Sequence, residues 1–200
     1  KHLGDPDFWD VPREGLLSKD YSLERMKNFD PNVATPSAQI QAGQPMAYES
    51  EETTHLSVVD EEGNAVSVTT TLNGGMGSKV FVGGAGFLLN NEMTDFSFRA
   101  SKDGLPVANR VEGGKRPRSS MAPTIVFDSR GAPILVAGSP GGSRIICYVA
   151  QALIGVLDWE LNPQEAVSMP HFCNRNGATD LESHHHAAAL KTALSDLGHE

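Results

Sequence analysis

The chain has 200 residues, 39% of them hydrophobic and 20% charged, enough for one sizeable core or two small ones and unlike a disordered segment. Its net charge of −9, with no basic cluster denser than Lys115, Arg116 and Arg118, excludes a nucleic-acid binder, although a small anionic ligand remains compatible with that cluster. No stretch approaches the ~18 continuous apolar residues of a membrane span, and a chain without an initiator Met that stops in mid-pattern at residues 197–200 reads as a piece of something longer.

Residues 1–29 mix Phe8, Trp9 and Pro12 with a short helical pattern at Leu23, Met26 and Phe29. Residues 30–52 are rich in Pro, Ala, Gln, Ser and Glu without periodicity, which predicts a loose, exposed tail. At Thr53 the texture changes. A β-like run from His55 to Asp60, turn residues from Glu61 to Asn64, and an alternating run from Ala65 to Leu72 predict a hairpin. Val66, Val68, Thr70 and Leu72 share one face; Ser67, Thr69 and Thr71 share the other. Pairing Asp60 with Ala65 sets Thr54 opposite Thr71 and Thr53 opposite Leu72. A second hairpin joins residues 124–127 to 133–137 through Asp128, Ser129, Arg130 and Gly131.

A glycine-rich turn, GSPGGS at 138–143, then leads into a helix in which Ile145, Ile146, Val149, Ala150, Leu153, Ile154 and Leu157 recur at helical spacing. Cys147 lies in its apolar face and reads as a buried free thiol; with Cys173 it makes no disulfide framework. Asn162, Pro163 and Glu165 form a helix start, with Asn as cap, Pro at the first position and Glu three after the cap. A last helix is predicted at 187–197. Hairpins followed by apolar helices predict sheets with helices layered on them, an α+β fold.

Threonine in a strand is ordinarily β-branched filler. Thr53 differs by its position, between the tail and the first rigid strand. If the Glu52–Thr53 bond is cut, the new α-amine can act as general base for the Thr53 hydroxyl. Gly141 and Gly142 directly precede a helix, whose first N–H groups lack intrahelical partners and suit an oxyanion. They also suit a tight strand-to-helix turn, and the two readings are compatible. Ser139 is rejected as a nucleophile-elbow serine, because position 137 is Ala and Pro140 has no N–H to complete an oxyanion hole. Ser119 and Ser120, following Lys115, Arg116 and Arg118, suit a carboxylate. Glu92 and Asp95, three apart after an apolar run, suit an ammonium group. Gly83, Gly84 and Gly86 do not form a dinucleotide fingerprint, since position 89 is Leu. His184, His185 and His186 read as a solvated helix start rather than a metal site. No metal or cofactor is expected.

These residues resemble the γ-glutamyltranspeptidase family. The likeness rests on TTHLSVVDEEGNAVSVTTTLN (53–73), GFLLNNEMTDFS (86–97), GKRPRSSMAPTIV (114–126) and GSPGGSRI (138–145), and runs from about residue 40 to residue 175. The resemblance implies an N-terminal-nucleophile (Ntn) hydrolase sandwich, two antiparallel sheets between helical layers. Residues 1–52 correspond to the end of the large subunit and residues 53–200 to most of the small, catalytic subunit. It further implies autocleavage at Glu52–Thr53, Thr53 as nucleophile, Thr71 as the threonine that orients it, and Gly141 and Gly142 at the oxyanion hole. Asn73, Glu92 and Asp95 correspond to residues that hold the γ-glutamyl α-amino end, and Ser119 and Ser120 to those that hold its α-carboxylate. The implied substrates are glutathione and other γ-glutamyl compounds, with acceptor amino acids or peptides, and the implied protein partner is the rest of the large subunit. The implied location is periplasmic or extracellular. Two departures are visible: residues 98–113, where the family has a lid, are few and lack Tyr and Trp, and the arginine that the family draws from the earlier large subunit is not in this chain. A glutaryl (cephalosporin) acylase and a non-catalytic homologue are the alternatives.

Overall fold

The computed structural model of the chain describes residues 3–40, 53–183 and 187–199. Glu52 and the triplet His184, His185 and His186 therefore lie outside the described residues.

Two short helices come first, α1 (Arg13–Leu17) and α2 (Lys19–Arg25). Ser18 separates them in extended backbone, and its hydroxyl caps α2 by accepting from the Tyr21 N–H at 3.0 Å. Residues 30–40 depart from the loose tail expected of them. The Asp30 carboxylate accepts from the Asn32 N–H at 2.8 Å, Ser37–Gln39 make a 3-10 turn, and the Ala34 N–H donates to the Leu197 carbonyl at 2.6 Å. An Asp turn and proline punctuation order this stretch where composition alone promised none.

The central element is the hairpin of β1 (Thr53–Val59) and β2 (Ala65–Thr71). Its register is shifted by one from the expected pairing: Val59 faces Ala65 and Thr53 faces Thr71. The turn is the reason. Asp60 joins it, accepting from the Asn64 N–H and Nδ2 at 2.8 and 2.7 Å, and Gly63 donates back to the Asp60 carbonyl at 3.1 Å. The face of Ser67, Thr69 and Thr71 turns inward, while Val66 and Val68 are 49% and 37% exposed. Two two-residue hairpins follow, β3 (Phe81–Val82) with β4 (Phe87–Leu88), and β5 (Ser101–Lys102) with β6 (Leu105–Pro106).

The second long hairpin pairs β7 (Thr124–Phe127) with β8 (Pro133–Ala137) and lies against the inward face of β2, where the Ser67 hydroxyl donates to the Ala137 carbonyl at 3.1 Å. From β8 the glycine turn enters α3 (Ile145–Leu157), which buries Ile145, Val149, Gln151 and Gly155. Against it packs α4 (Pro163–Ser168), with the expected capping box: Glu165 N–H to Asn162 Oδ1 at 3.0 Å and Asn162 N–H to Glu165 Oε2 at 2.9 Å. A final pair, β9 (Phe172–Asn174) and β10 (Thr179–Leu181), precedes α5 (Ala187–Asp196).

Cys147 is not a free thiol. It is disulfide-bonded to Cys173, joining α3 to β9. Gln151, one turn on, bonds the same segment, donating to the Pro170 carbonyl at 3.0 Å and accepting from the Phe172 N–H at 3.4 Å. Because α3 packs on β9, two cysteines 26 residues apart meet with Cα atoms 5.7 Å from each other, within the usual range for a bridge. The described architecture is α+β, with antiparallel strand pairs and helices packed on them.

Candidate active site

Thr53 is the first residue of β1 and sits directly across from Thr71, the last of β2. Beyond β2 the chain turns sharply: Asn73 takes a left-handed conformation (φ 69°), which Asn tolerates better than most residues. Two bonds fix the turn. The Asn73 N–H donates to Thr71 Oγ1 at 2.9 Å, and the Gly74 N–H donates to Asn91 Oδ1 at 2.7 Å. The Asn73 amide then reaches the 3-10 turn Glu92–Asp95, donating to Thr94 Oγ1 at 2.7 Å and to Asp95 Oδ1 at 3.1 Å.

In a 3-10 turn, side chains three apart eclipse. Glu92 and Asp95 consequently share one small space. Burial, the neighbouring Asp95 charge and a hydrogen bond shared with that carboxyl push the Glu92 pKa up to about 7. Two carboxyls held this close, one of them readily protonated, form an acidic site that gains from an added positive charge.

The opposite wall is residues 115–121. Lys115 and Arg116 are already engaged by the protein there. The buried Lys115 ammonium donates to the Ala108 carbonyl at 2.8 Å. Arg116 is gripped by Asp5, with Nε to Oδ2 at 3.0 Å, Nη2 to Oδ1 at 2.7 Å and backbone N–H to Oδ2 at 2.8 Å. A second carboxylate, Asp7, bonds the same Nη2 at 2.6 Å. Asp5 is held well below the usual carboxylate range by these bonds, the side-chain ones first. What this wall presents to the site is the hydroxyl pair, Ser119 and Ser120; Ser119 Oγ also accepts from the Met121 N–H at 3.1 Å.

The floor comes from the glycine turn. Gly141 (φ 128°) and Gly142 (φ 55°) both take backbone that L side chains rarely adopt, and residues Gly142–Arg144 make a 3-10 turn running into α3. The Arg144 N–H already donates to the Gly141 carbonyl at 3.0 Å, so it is the N–H groups ahead of it, at Gly142 and Ser143, that suit an oxyanion.

Thr53, Thr71, Asn73, Asp95, Ser119, Ser120 and Gly142 line one cleft, completed by Met121 and Ile145. Its volume of ≈30 Å³, open to solvent on one side, accepts about two waters. That is room for a reacting carbonyl and its neighbours, the remainder of any ligand lying in the open mouth. Glu92 stands beside the cleft through Asp95. Gly141 opens instead onto an adjoining, wider cleft of ≈530 Å³, whose polar walls already hold partners: Arg144 pairs with Asp180 at 3.1 Å, and His171 Nδ1 is hydrogen-bonded to Glu182 at 3.2 Å. Ser139 lies in this second cleft, away from Thr53, with its hydroxyl donating to the Pro140 carbonyl at 2.7 Å.

The gamma-glutamyltranspeptidase family model matches residues 1–200. The chain belongs to the gamma-glutamyltranspeptidase family. It is 47% identical over 180 residues to the glutathione hydrolase proenzyme of Escherichia coli (strain K12), covering 86% of this chain and 30% of that protein. The crystal structure of a mutant Helicobacter pylori gamma-glutamyltranspeptidase superposes with a TM-score of 0.65 at 46% identity, covering 74% of this chain and 82% of that one. Cephalosporin acylase from Bacillus halodurans superposes over 100% of this chain and 34% of its own, with a TM-score of 0.81 at 28% identity. The chain thus spans about a third of the curated relative it matches, and its fold is that of the Ntn hydrolases.

Within this family frame, residues 98–113 contain the small β5–β6 hairpin, below which the Ser97 N–H donates to the Asn109 carbonyl at 2.8 Å. Phe98 is 76% exposed. The residues that sequence reasoning missed are Met121 and Ile145 in the cleft wall and Asp5 and Asn109 behind it. The apolar pair carries no chemical signal, and the polar pair reaches the cleft walls through contacts distant in sequence.

Proposed function

We propose that this chain carries the catalytic region of a self-processing γ-glutamyltranspeptidase, or glutathione hydrolase. The observation that supports this best is the convergence on one cleft of a threonine pair, a carboxylate site, a serine pair and a helix-start glycine. In this reading the precursor is cut at Glu52–Thr53, leaving residues 1–52 in the large subunit and residues 53–200 in the small one. The freed Thr53 α-amine takes the proton from its own hydroxyl, and Oγ adds to the γ-carbonyl carbon of glutathione or a related γ-glutamyl compound. The oxyanion is held at the glycine turn by the N–H of Gly142, which lines the Thr53 cleft, while Gly141 shapes the turn from the neighbouring cleft. The C–N bond breaks, the amine departs with the proton, and an ester joins the γ-glutamyl group to Thr53. Water or the amine of an acceptor amino acid or peptide then takes the acyl group by the reverse sequence. The wider cleft beside Gly141 is the approach consistent with that acceptor.

Thr71 orients the nucleophile from across the hairpin. Asn73, Glu92 and Asp95 receive the α-ammonium, and Ser119 and Ser120 receive the α-carboxylate, assisted by the remainder of the large subunit. The disulfide fits an oxidising compartment and so a periplasmic or extracellular location.

Thr53→Ala tests the core of this reading. It is expected to leave the precursor uncut on a denaturing gel and to lower hydrolysis of γ-glutamyl-p-nitroanilide to background. Fragments meeting at residues 52 and 53 in that variant would overturn it. A glutaryl acylase is the second reading, favoured by the close superposition on the Bacillus halodurans enzyme. Against it stand Glu92 and Asp95, since a glutaryl group has no ammonium for two carboxyls to hold.

A further inference from the structure

Asn109 lies in the stretch after the β5–β6 hairpin, 4% exposed. Its side chain spans the space between the two walls of the cleft. Nδ2 donates to the backbone carbonyl of Asp95 at 2.7 Å, and Oδ1 accepts from the backbone N–H of Arg118 at 2.8 Å. Asp95 ends the acidic turn on one side, and Arg118 immediately precedes Ser119 and Ser120 on the other. The Asn109 carbonyl is itself held by Ser97 at 2.8 Å, and the preceding carbonyl, Ala108, by the buried Lys115 ammonium.

Making both bonds takes a donor and an acceptor at the right separation, which the planar Asn109 amide supplies. Aspartate keeps the acceptor and loses the donor. Alanine and leucine lose both and leave a buried carbonyl and N–H without partners, each costly in the interior.

We propose that Asn109 is a positioning residue that sets the spacing between the Asp95 carboxylate and the Ser119–Ser120 hydroxyls, and through it the preference for an acyl group bearing both an ammonium and a carboxylate. This rests on the γ-glutamyl reading of the site. A ligand touching both walls reads their separation; a ligand touching only one does not. Asn109 itself contacts neither substrate nor reacting atom.

The test compares γ-glutamyl-p-nitroanilide with glutaryl-p-nitroanilide, which lacks the ammonium, on the processed protein carrying its natural flanking sequence. Asn109→Ala is expected to raise KM for the γ-glutamyl substrate about tenfold while kcat stays within about twofold, and to leave the glutaryl KM nearly unchanged. The ratio of the two kcat/KM values then falls about tenfold. Asn109→Asp should lose the same discrimination, and it carries the test if the alanine variant does not fold. Equal losses on both substrates, or a loss confined to kcat, would mean a merely structural role and overturn the proposal. Hydrogen exchange gives a readout independent of both folding variants and activity: in the wild-type protein the Arg118 amide should be protected, and exchange at the rate of an open loop would refute the brace. A wild-type protein that acts on neither anilide would sink the γ-glutamyl reading alone, and the brace would then stand or fall on the Arg118 amide.

Discussion

At the scale of single residues, Glu92 gives the site a pH dependence whose sign can be worked out. Its pKa is pushed up from 4.5 to about 7, burial first and Asp95 second. Between those values the folded chain holds a proton that the unfolded chain has lost, so this group makes the fold less stable as pH rises through that window. A bound ammonium acts oppositely, because it favours the ionised form. KM for a γ-glutamyl donor should therefore fall as pH rises from about 6 to about 8, by at most about tenfold per unit below the Glu92 value. Glu92→Gln should flatten that limb in a series of steady-state KM measurements; an unchanged slope would remove Glu92 from ammonium recognition. The spacing of Glu92 and Asp95 was readable in the sequence, but their coupling was not, since it depends on the turn being 3-10 rather than an open loop. Thr71 and Asn73 were legible from the resemblance, whereas Asn109 was not. Its partners lie 14 and 9 residues away, and a lone Asn in a short loop has no local feature that sets it apart.

Among the elements, the two long hairpins, α3 and the Asn162–Glu165 cap could all be read from alternation, spacing and cap chemistry. The register of β1 and β2 could be read only to within one residue. The decision lay in Asp60, whose carboxylate closes the turn and moves the pairing so that the two threonines face each other. Alternation also left open which face of β2 turns inward. Ser67, Thr69 and Thr71 do, because the β7–β8 hairpin offers the Ala137 carbonyl to the Ser67 hydroxyl. The disulfide was missed for a related reason: the neighbourhood of Cys147 and Cys173 is a product of helix-on-strand packing, which no local pattern records. Closing a 26-residue separation is worth about 3.5 kcal/mol on a chain-entropy estimate. Replacing both cysteines by alanine should lower the denaturation midpoint of the processed protein accordingly, and dithiothreitol should do the same to the wild type. A midpoint indifferent to both treatments would argue that the bridge does not form.

For the molecule as a whole, the segment at residues 3–8 docks far from its place in the sequence. Gly4 sits so close to Ala108 that a Cβ there would come within 2.6 Å of its carbonyl oxygen, and Asp5 and Asp7 hold Arg116 across 111 and 109 residues of chain. The proposed cut falls between the two ends of this clamp. Before the cut, Asp5 and Arg116 are tethered, and their contact does not depend on protein concentration. Afterwards, the same bonds belong to two separate molecules, and their occupancy obeys mass action. Asp5→Asn should thus have little effect on the uncut Thr53→Ala protein yet make the activity of the cut protein fall on dilution, with dissociation on the order of tenfold easier. Specific activity measured across a dilution series would show it, and a flat series would place the clamp outside the subunit contact. A protein cut as proposed exchanges an intramolecular constraint for a bimolecular equilibrium in the same step that frees the Thr53 amine.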